Sequence, residues 1–375
     1  MSVIKLGIVG YGGSARNFHL PYIIPNPDLA VYAFLQRAAA PSDPAMTKPG
    51  THCTVDYPEA KHYRDSDSFF ADADIDLVVV CSHTDTHAAF AERALRAGKH
   101  VVIEKPFTVS TQEADRIIAL SKETGKILTV FQNRRYDGDF LTLKHLLANE
   151  ALGNITEAEI HYDFENPPWL HYMSAKVYTP GDGMMFGLGS HTFDQALVLF
   201  GKPRSVTGFL RDLRSAGSEV EDSFTVILQY EGPLLVTVKT SIVDCMEEPL
   251  HYMIRGTGGS YVKHGTDAQE AHAIAGMPST DPGFGVEDPH LHGLLTTYAE
   301  FDGCQHYDAA RKKFIGRYPT ITGYIRGYYE DLVQAVRGKA EFQVQAQHSR
   351  DGIRIMELAR LSHERAATVP WSDSD

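Results

Sequence analysis

The segment MMFGLGSHTFDQ, residues 184–195, places a histidine and an aspartate three residues apart, directly after a run of small residues. If the segment opens a helix, His191 and Asp194 project from one side of its first turn. Three roles fit such a pair: metal ligation, acid–base catalysis, or a polar helix start. The pKa of imidazole lies near neutrality, so His191 can exchange a hydroxyl proton, and we take it as the candidate catalytic acid–base.

A bound metal has little support in the sequence. Two ligands in one helical turn need a third and a fourth ligand, and the other metal-like stretch, EDPHLHG at 287–293, has no partner at a matching spacing. The four cysteines, Cys53, Cys81, Cys245 and Cys304, lie far apart with no CxxC pair. This distribution is neither a zinc framework nor a disulfide scaffold, and it suits a reducing compartment. We therefore predict no metal site.

A second chemical candidate ends an apolar strand, HVVIEKP at residues 100–106. Ligands of open α/β sheets bind beyond the carboxyl ends of the strands, so Glu104 and Lys105 are expected beside a bound ligand. Lys105 could orient a substrate hydroxyl and stabilise the negative charge that develops on its oxygen. A Glu–Lys ion pair that only closes the strand end is an equally good interpretation.

The start of the chain predicts dinucleotide binding. The apolar stretch VIKLGIV leads into GYGGSA, which matches the G-x-G-x-x-G/A pattern between a strand and a helix. Gly10 permits the tight turn, Gly12 with Gly13 beside it lets backbone amides approach a pyrophosphate, and Ala15 lets the next helix pack closely. A glycine-rich turn without a ligand is the alternative.

The second predicted strand, LAVYAFL at 29–35, ends at Gln36 and Arg37 and bears on the choice of cofactor. An acidic residue here would accept hydrogen bonds from the ribose hydroxyls, whereas Arg37 suits a ribose 2′-phosphate. The sequence therefore favours NADP(H), and NAD(H) is the alternative if Arg37 is only a solvated surface residue.

Three polar residues follow the predicted strand DIDLVVVCS: Ser82, Thr84 and His87. They are expected near the ribose or the nicotinamide of the cofactor, because they lie beyond the carboxyl end of a parallel strand. Capping of the following helix is the alternative role for Thr84.

The elements that must position these residues change in kind near residue 130. Before it, strand and helix patterns alternate, which is typical of a doubly wound parallel sheet. After it, segments of alternating hydrophobicity follow one another, at 154–164, 204–213, 223–230, 234–243 and 250–264. We predict a Rossmann domain over 1–130 and a second, strand-rich domain over 131–375, with a C-terminal helix at about 349–366 that packs back on the first domain.

Composition limits the partners. The chain has 375 residues, a formal net charge of −13 and a pI near 5.7. This acidic balance argues against nucleic acid or an anionic membrane as a principal partner. The sequence has no run of 18 apolar residues and no apolar signal region at its start, so we expect a cytoplasmic protein that acts on a small molecule.

Four motifs in order resemble those of the Gfo/Idh/MocA oxidoreductases: GIVGYGGSA, THAAFAERALRAGKHVVIEKPFT, VFQNRRYDGDF and GLGSHTFDQALVLFG. The resemblance implies a nicotinamide-binding Rossmann domain, then a domain with a large, mostly antiparallel open sheet that carries the substrate pocket on one face and often an oligomer interface on the other. It implies catalytic roles for Lys105 and His191 and places Asp194 at the polar pocket. Many members have an aspartate four residues before the histidine, where it orients substrate, and here Gly187 stands at that position.

Two further stretches supply candidates for substrate binding. Asn133 and Arg134 lie in QNRRYDGDF, where the two predicted domains meet, and an interdomain salt bridge is an equally good interpretation. In PPWLHYM, the rings of Trp169, His171 and Tyr172 could stack on the C–H faces of a sugar, or could form a packed loop.

Residues 265–320 are rich in glycine, proline, histidine and aromatic residues. They resemble an extension found in the branch of the family that includes scyllo-inositol dehydrogenases. A loop of this length in a compact domain usually has a function, and we expect it to cover a pocket.

The reaction expected from these residues is reversible oxidation of a secondary alcohol, or of a hemiacetal carbon, in a sugar, cyclitol or related polyol. Hydride would pass to or from NADP(H) while His191 moves the hydroxyl proton. A nucleotide-binding regulator without turnover is the main alternative, favoured by Gly187, and a glycosidase that recycles its cofactor is another. Self-association through the open sheet face predicts a homodimer or homotetramer.

Overall fold

The structure is a computed structural model that describes residues 2–172, 175–214 and 217–373, with the side chains of His171 and Tyr172 outside the described part. The chain groups into two compact units. The first unit contains Met1–Asn133, Glu270–Phe284 and Ile325–Arg350, and the second unit contains Arg134–Gln269, Gly285–Tyr324 and Asp351–Asp375. The contiguous division at residue 130 stays a prediction, whereas these units interleave the later segments of the chain.

Within the described residues, the first unit is built on a six-stranded, wholly parallel sheet. Its strands are β1 Ile4–Val9, β2 Leu29–Leu35, β3 Lys61–Tyr63, β4 Leu77–Val80, β5 His100–Ile103 and β6 Leu128–Val130. Their order across the sheet is β3-β2-β1-β4-β5-β6, the doubly wound order whose switch point lies between β1 and β4. The four residues of β4, LVVV, are all buried, as a strand covered on both faces requires. The predicted Rossmann sheet is confirmed.

Helices that begin or lie in the first unit follow the strands. They are α1 Leu20–Ile23, α2 Cys53–Asp56, α3 Ser66–Ala71, α4 His87–Arg96, α5 Thr111–Thr124 and α9 Arg326–Val336, with α8 Gln269–Ile274 starting at the unit boundary. The termini of α5 show why such helices form here: the Ser110 side chain accepts a hydrogen bond from the Glu113 amide, and Gly125 closes the helix at φ 64°. In the part of the chain that is described, no helix has the length and apolar character needed to cross a membrane.

The second unit is built on a ten-stranded sheet, counted over the described residues. Its strands are β7 Ile155–His161, β8 Ser205–Arg211, β9 Ser223–Gln229, β10 Leu235–Thr240, β11 Leu250–Gly256, β12 Gly259–His264, β13 Leu294–Thr297, β14 His306–Asp308, β15 Lys313–Arg317 and β16 Val369–Pro370. Their order is β14-β15-β13-β12-β11-β7-β10-β9-β8-β16. Of these neighbours only β7 and β10 run parallel. The large, mostly antiparallel sheet predicted for this part of the chain is therefore confirmed.

One face of this sheet is buried and the other is partly exposed. Along β9, for example, Phe224, Val226 and Leu228 are buried, whereas the intervening Thr225 and Ile227 are half-buried. The two-residue period is that of a sheet packed on one side. The helices of the unit are α6 Gly138–Ala148, α7 Ser190–Phe200 and most of α10 Ala346–Arg365, whose first five residues group with the first unit.

The expectation that residues 265–320 form one long covering loop is wrong for much of the segment. Strands β13, β14 and β15 come from it and form one edge of the ten-stranded sheet. The start of the segment is also fixed, because the Asp267 carboxylate accepts a hydrogen bond of 2.8 Å from the Gly138 amide. These strands are only three to five residues long, too short for hydrophobic periodicity to reveal them.

Candidate active site

The glycine-rich turn after β1 has the shape that a dinucleotide needs. Gly10 adopts φ +93°, and a Cβ there would lie 2.7 Å from the Cys81 carbonyl oxygen, so only glycine fits. A Cβ on Gly12 or Gly13 would meet no heavy atom within 4 Å, which leaves that side of the turn open to a ligand. Ala15 is fully buried at the start of the next helical segment. These residues fit a pyrophosphate at the switch point of the sheet.

Two arginines lie together where β2 and β3 end. Arg37 is exposed, and the Arg64 Nε donates a hydrogen bond of 3.2 Å to its carbonyl oxygen. Sequence analysis missed Arg64, because β3 has only three residues and gave no strand pattern.

Glu104 is held in a buried hydrogen-bonded chain. Its Oε1 lies 3.0 Å from the His19 Nε2, and its Oε2 accepts a 2.8 Å hydrogen bond from the Lys105 amide. Because a carboxylate only accepts, His19 donates from Nε2 and accepts at Nδ1 from the Tyr329 hydroxyl. Burial raises the pKa of Glu104, but the hydrogen bond from His19 and the charge of Lys105 outweigh it and hold that pKa below its usual range. Sequence analysis found Glu104 and missed His19 and Tyr329.

The carboxylate of Glu104 therefore fixes the backbone at Lys105, whose side chain is half-buried after β5. This arrangement differs from a simple Glu–Lys ion pair at the strand end, since one carboxylate oxygen is committed to an amide and the other to an imidazole.

His87 braces the ends of two strands. Its Nδ1 lies 2.9 Å from the Pro106 carbonyl oxygen and its Nε2 lies 3.0 Å from the Ser82 carbonyl oxygen, and the residue is 1% exposed. Burial lowers the pKa of His87 against the opposing effect of these carbonyls. With both ring nitrogens engaged, its predicted role in cofactor binding finds no support in the geometry. Ser82 and Thr84 are half-buried, and the Ser82 Oγ accepts a hydrogen bond from the Thr86 hydroxyl.

His191 lies in the first turn of α7, as the sequence predicts, after a π-helical turn at Met185–Gly189. A Cβ on Gly189 would lie 2.8 Å from the Phe193 ring, which explains the small residue before the histidine. His191 is 5% exposed and lines a small cavity within the second unit. The cavity is lined by Arg134, Asp137, Tyr162, His191, Thr192, Gln195 and His251.

Asp194 belongs to a buried ion pair and does not line this cavity. The Arg135 Nε and Nη2 each donate a 2.7 Å hydrogen bond to one of its two carboxylate oxygens. The side chains are 9% and 2% exposed. The expectation that Asp194 contacts substrate therefore lacks geometric support, because both of its oxygens are taken by one guanidinium. Sequence analysis singled out Arg134 and passed over its neighbour Arg135.

Arg134 lines the His191 cavity together with a carboxyl group. Its Nη1 lies 3.3 Å from the Asp137 Oδ2, and its guanidinium lies 5.5 Å from the centre of the Tyr162 ring. Asn133 is buried and begins the 3-10 turn Asn133–Tyr136. Asp137 belongs to the QNRRYDGDF motif, so its position in the sequence was visible although its role was not.

Buried acidic groups extend from the cavity into the second unit. Burial raises the pKa of Asp137 well above its usual range and raises the pKa values of Asp139 and Asp267 to about 6. Mutual repulsion among the carboxylates adds to this effect. His251 is buried beside Asp139, with its Nδ1 2.7 Å from the His161 carbonyl oxygen, and burial lowers its pKa to about 3. His251 is therefore neutral near pH 7.

Trp169 is half-buried in the 3-10 turn Pro168–Tyr172, and its ring packs edge-on against Phe164 at 5.6 Å between centroids. It does not line the His191 cavity. The other two aromatic candidates, His171 and Tyr172, have side chains that lie outside the described residues.

A separate group of potential metal ligands occurs in the first unit. One ligand atom each of His52, Cys53 and His62 lies within 4.8 Å of the others. The His62 Nε2 is 2.9 Å from the Gln36 carbonyl oxygen, and burial raises the pKa of the Cys53 thiol to about 11. The protonated thiol does not favour a metal.

Comparison with known proteins agrees with this geometry. Residues 4–132 match the family model described as an oxidoreductase family with an NAD-binding Rossmann fold, and residues 140–262 match the GFO/IDH/MocA C-terminal domain. An uncharacterized oxidoreductase of Schizosaccharomyces pombe is 36% identical over the full length of both chains. The scyllo-inositol 2-dehydrogenase (NADP(+)) of Bacillus subtilis is 30% identical over 98% of this chain and 96% of its own.

Solved structures show the same likeness over the whole chain. The crystal structure of an oxidoreductase from Bacillus cereus aligns with a TM-score of 0.84 at 27% identity, covering 99% of each chain. The sheet order, the glycine-rich turn and the histidine of α7 thus occur together with a match to both halves of one family. The chain belongs to the Gfo/Idh/MocA family of oxidoreductases.

Proposed function

We propose that this protein is an NADP(H)-preferring dehydrogenase or reductase that acts on a secondary alcohol or hemiacetal carbon of a sugar, cyclitol or related polyol. The observation that carries the proposal is His191, a buried imidazole at a helix start that lines a cavity with several other polar side chains. The nicotinamide supplies the hydride chemistry when bound. A titratable imidazole in a buried polar cavity is the group that a hydroxyl proton transfer requires.

Two residues carry the proposed chemistry. His191 takes the hydroxyl proton during oxidation and returns it during reduction, and Lys105 donates a hydrogen bond to the same oxygen and stabilises its developing charge. The chain from Tyr329 through His19 to Glu104 supports this role of Lys105, because it fixes the backbone from which the lysine projects. In this proposal Asn133 and Arg134 contact substrate, and Ser82 and Thr84 contact the cofactor.

The preference for NADP(H) is supported by the exposed Arg37, with Arg64 beside it. Two guanidinium groups at the ends of β2 and β3 suit a ribose 2′-phosphate, which carries negative charge and several acceptor oxygens. The relative from Bacillus subtilis is named as an NADP(+) enzyme, which agrees with this direction.

The polyol class is supported by relatives of full or partial length. Besides the scyllo-inositol 2-dehydrogenase, an inositol 2-dehydrogenase of Rhizobium meliloti is 29% identical over 60% of this chain. We also propose a cytoplasmic location, supported by four free cysteines, and a homodimer or homotetramer joined through the half-exposed face of the ten-stranded sheet.

The proposal is tested by following NADPH absorbance with scyllo-inositol, myo-inositol, D-glucose and D-xylose, for the wild type and for Lys105→Met and His191→Ala. We expect turnover by the wild type and a loss of about 10²–10⁴-fold in each variant, with NADPH binding retained. Glu157→Gln, at an exposed site on the sheet, is the control and should match the wild type.

Gly187 favours a second candidate, a nucleotide-binding regulator without turnover, because the family position for a substrate-orienting aspartate is a glycine in this chain. The same experiment separates the two functions. Saturable NADPH binding without oxidation of any of the four polyols would support the regulator and contradict the dehydrogenase.

A further inference from the structure

Two buried oxygen atoms in the His191 cavity have no hydrogen-bond partner among the described residues. They are the Asp137 Oδ1 and the Gln195 Oε1. Both residues line the cavity and each is 3% exposed. A buried acceptor that finds no donor costs free energy comparable to a lost hydrogen bond. Two such acceptors on one cavity indicate that a donor from outside the protein binds there.

The size of the cavity fits one oxygen atom of a ligand. Its volume is about 10 Å³, which is the space of roughly one water molecule. The hydroxyl group of an alcohol has this size and donates one hydrogen bond, whereas a methyl group or a bare C–H cannot donate to either oxygen.

The surrounding contacts leave these two oxygens to the ligand. The other oxygen of Asp137 lies beside the Arg134 guanidinium, and the Thr192 hydroxyl donates to the Gly189 carbonyl oxygen. The His251 Nδ1 is engaged by the carbonyl oxygen of His161. These contacts hold the lining residues in place without satisfying the Asp137 Oδ1 or the Gln195 Oε1.

We propose that Asp137 and Gln195 form a subsite that accepts a hydrogen bond from a second substrate hydroxyl, on the carbon next to the one that reacts. This inference rests on the proposed function, since it takes His191 as the group that contacts the reacting hydroxyl. Because His191 lines the same small cavity, a hydroxyl bound there belongs to a neighbouring carbon. The substrate class is therefore a vicinal diol, and Asp137 performs here the substrate contact that Gly187 cannot make.

The experiment compares trans-cyclohexane-1,2-diol with cyclohexanol, which lacks only the second hydroxyl. Their dissociation constants for the NADPH-bound protein are measured by saturation-transfer NMR, a dead-end complex in which no turnover occurs. We expect the wild type to bind the diol about 10–100-fold more tightly than the monoalcohol. In Asp137→Ala this ratio should fall to near one, because the diol loses affinity and cyclohexanol does not.

A second variant guards against misfolding. Gln195→Met keeps the length of the side chain and the net charge, and it should lower the same ratio in a protein that stays folded. Asp267→Asn is the matched control: it changes a buried carboxyl of the same cluster whose oxygens accept from the Gly138 and Gln269 amides, and it lies outside the cavity lining. Its ratio should equal that of the wild type.

Each outcome decides between the claims. Equal binding of diol and monoalcohol by the wild type, or an unchanged ratio in Asp137→Ala and Gln195→Met, overturns the subsite, as does an absence of diol binding. Turnover of scyllo-inositol or another polyol alongside such a result leaves the proposed function standing. Diol discrimination that depends on Asp137, without turnover of any polyol, keeps the subsite as a binding site and overturns the proposed reaction.

Discussion

Replacing Asp194 with asparagine should destabilise the second unit strongly. Both carboxylate oxygens accept 2.7 Å hydrogen bonds from Arg135, and the two side chains are 2% and 9% exposed. The amide removes the negative charge and turns an NH₂ group toward the guanidinium. Removing one partner of a buried ion pair typically costs about 3–5 kcal/mol, because the other charge stays buried without compensation.

The expected shift in melting temperature follows from the size of the unit. For a unit of about 200 residues, 1 kcal/mol corresponds to roughly 2–4 °C, so the melting temperature of Asp194→Asn should fall by about 10 °C. Differential scanning calorimetry measures this change. The double variant Asp194→Leu/Arg135→Met removes both charges and should recover most of the loss, since a buried pair can be replaced by apolar groups at little cost.

An exposed pair of the same length is the control. The Arg255 Nη1 lies 2.7 Å from the Glu157 Oε2, but these side chains are 59% and 40% exposed. Glu157→Gln should change the unfolding free energy by no more than about 1 kcal/mol, because water screens the pair. A wild-type melting temperature in Asp194→Asn, together with a raised KM, would contradict this reasoning and would return Asp194 to the substrate site.

Three further predictions concern the cofactor preference, the strand brace and the buried acids. Arg37→Asp should lower the preference for NADPH over NADH by at least about tenfold, through loss of charge-assisted bonds to the 2′-phosphate; fluorescence titration measures both affinities, and an unchanged ratio would refute the role of Arg37. His87→Leu leaves two buried carbonyl oxygens without a donor and should cost about 2–4 kcal/mol in urea unfolding; an unchanged midpoint with weakened NADPH binding would instead support a cofactor contact. Burial raises the pKa of Asp139 from 3.8 to about 6, so its folded form binds the proton more tightly and its contribution to stability, full below about pH 4, is lost as the pH rises through 6. Asp139→Asn lacks this titration, so its unfolding free energy relative to the wild type should rise between pH 4 and pH 7, and a difference independent of pH would contradict the assignment.

The sequence determined the folds of both units and the position of several candidate groups. Buried parallel strands and an αL glycine turn leave local signals, namely continuous apolar runs and G-x-G spacing, and Gly10 confirms the turn through its positive φ. The helical setting of His191 was equally local, because small residues before it and apolar residues after it predict a helix start. The short edge strands β13 to β15 had too few residues for such a pattern.

The tertiary structure decided which of these polar residues face a cavity. Asp194 and Asp137 are the same residue type on neighbouring motifs, yet one is held by Arg135 through both oxygens and the other keeps an oxygen on the His191 cavity. His19 and Glu104 are separated by 85 positions and meet only in the folded first unit. Sequence spacing fixes a side chain relative to its own helix or strand, whereas its hydrogen-bond partner comes from a distant part of the chain, and that partner decides whether the group is free to contact a ligand.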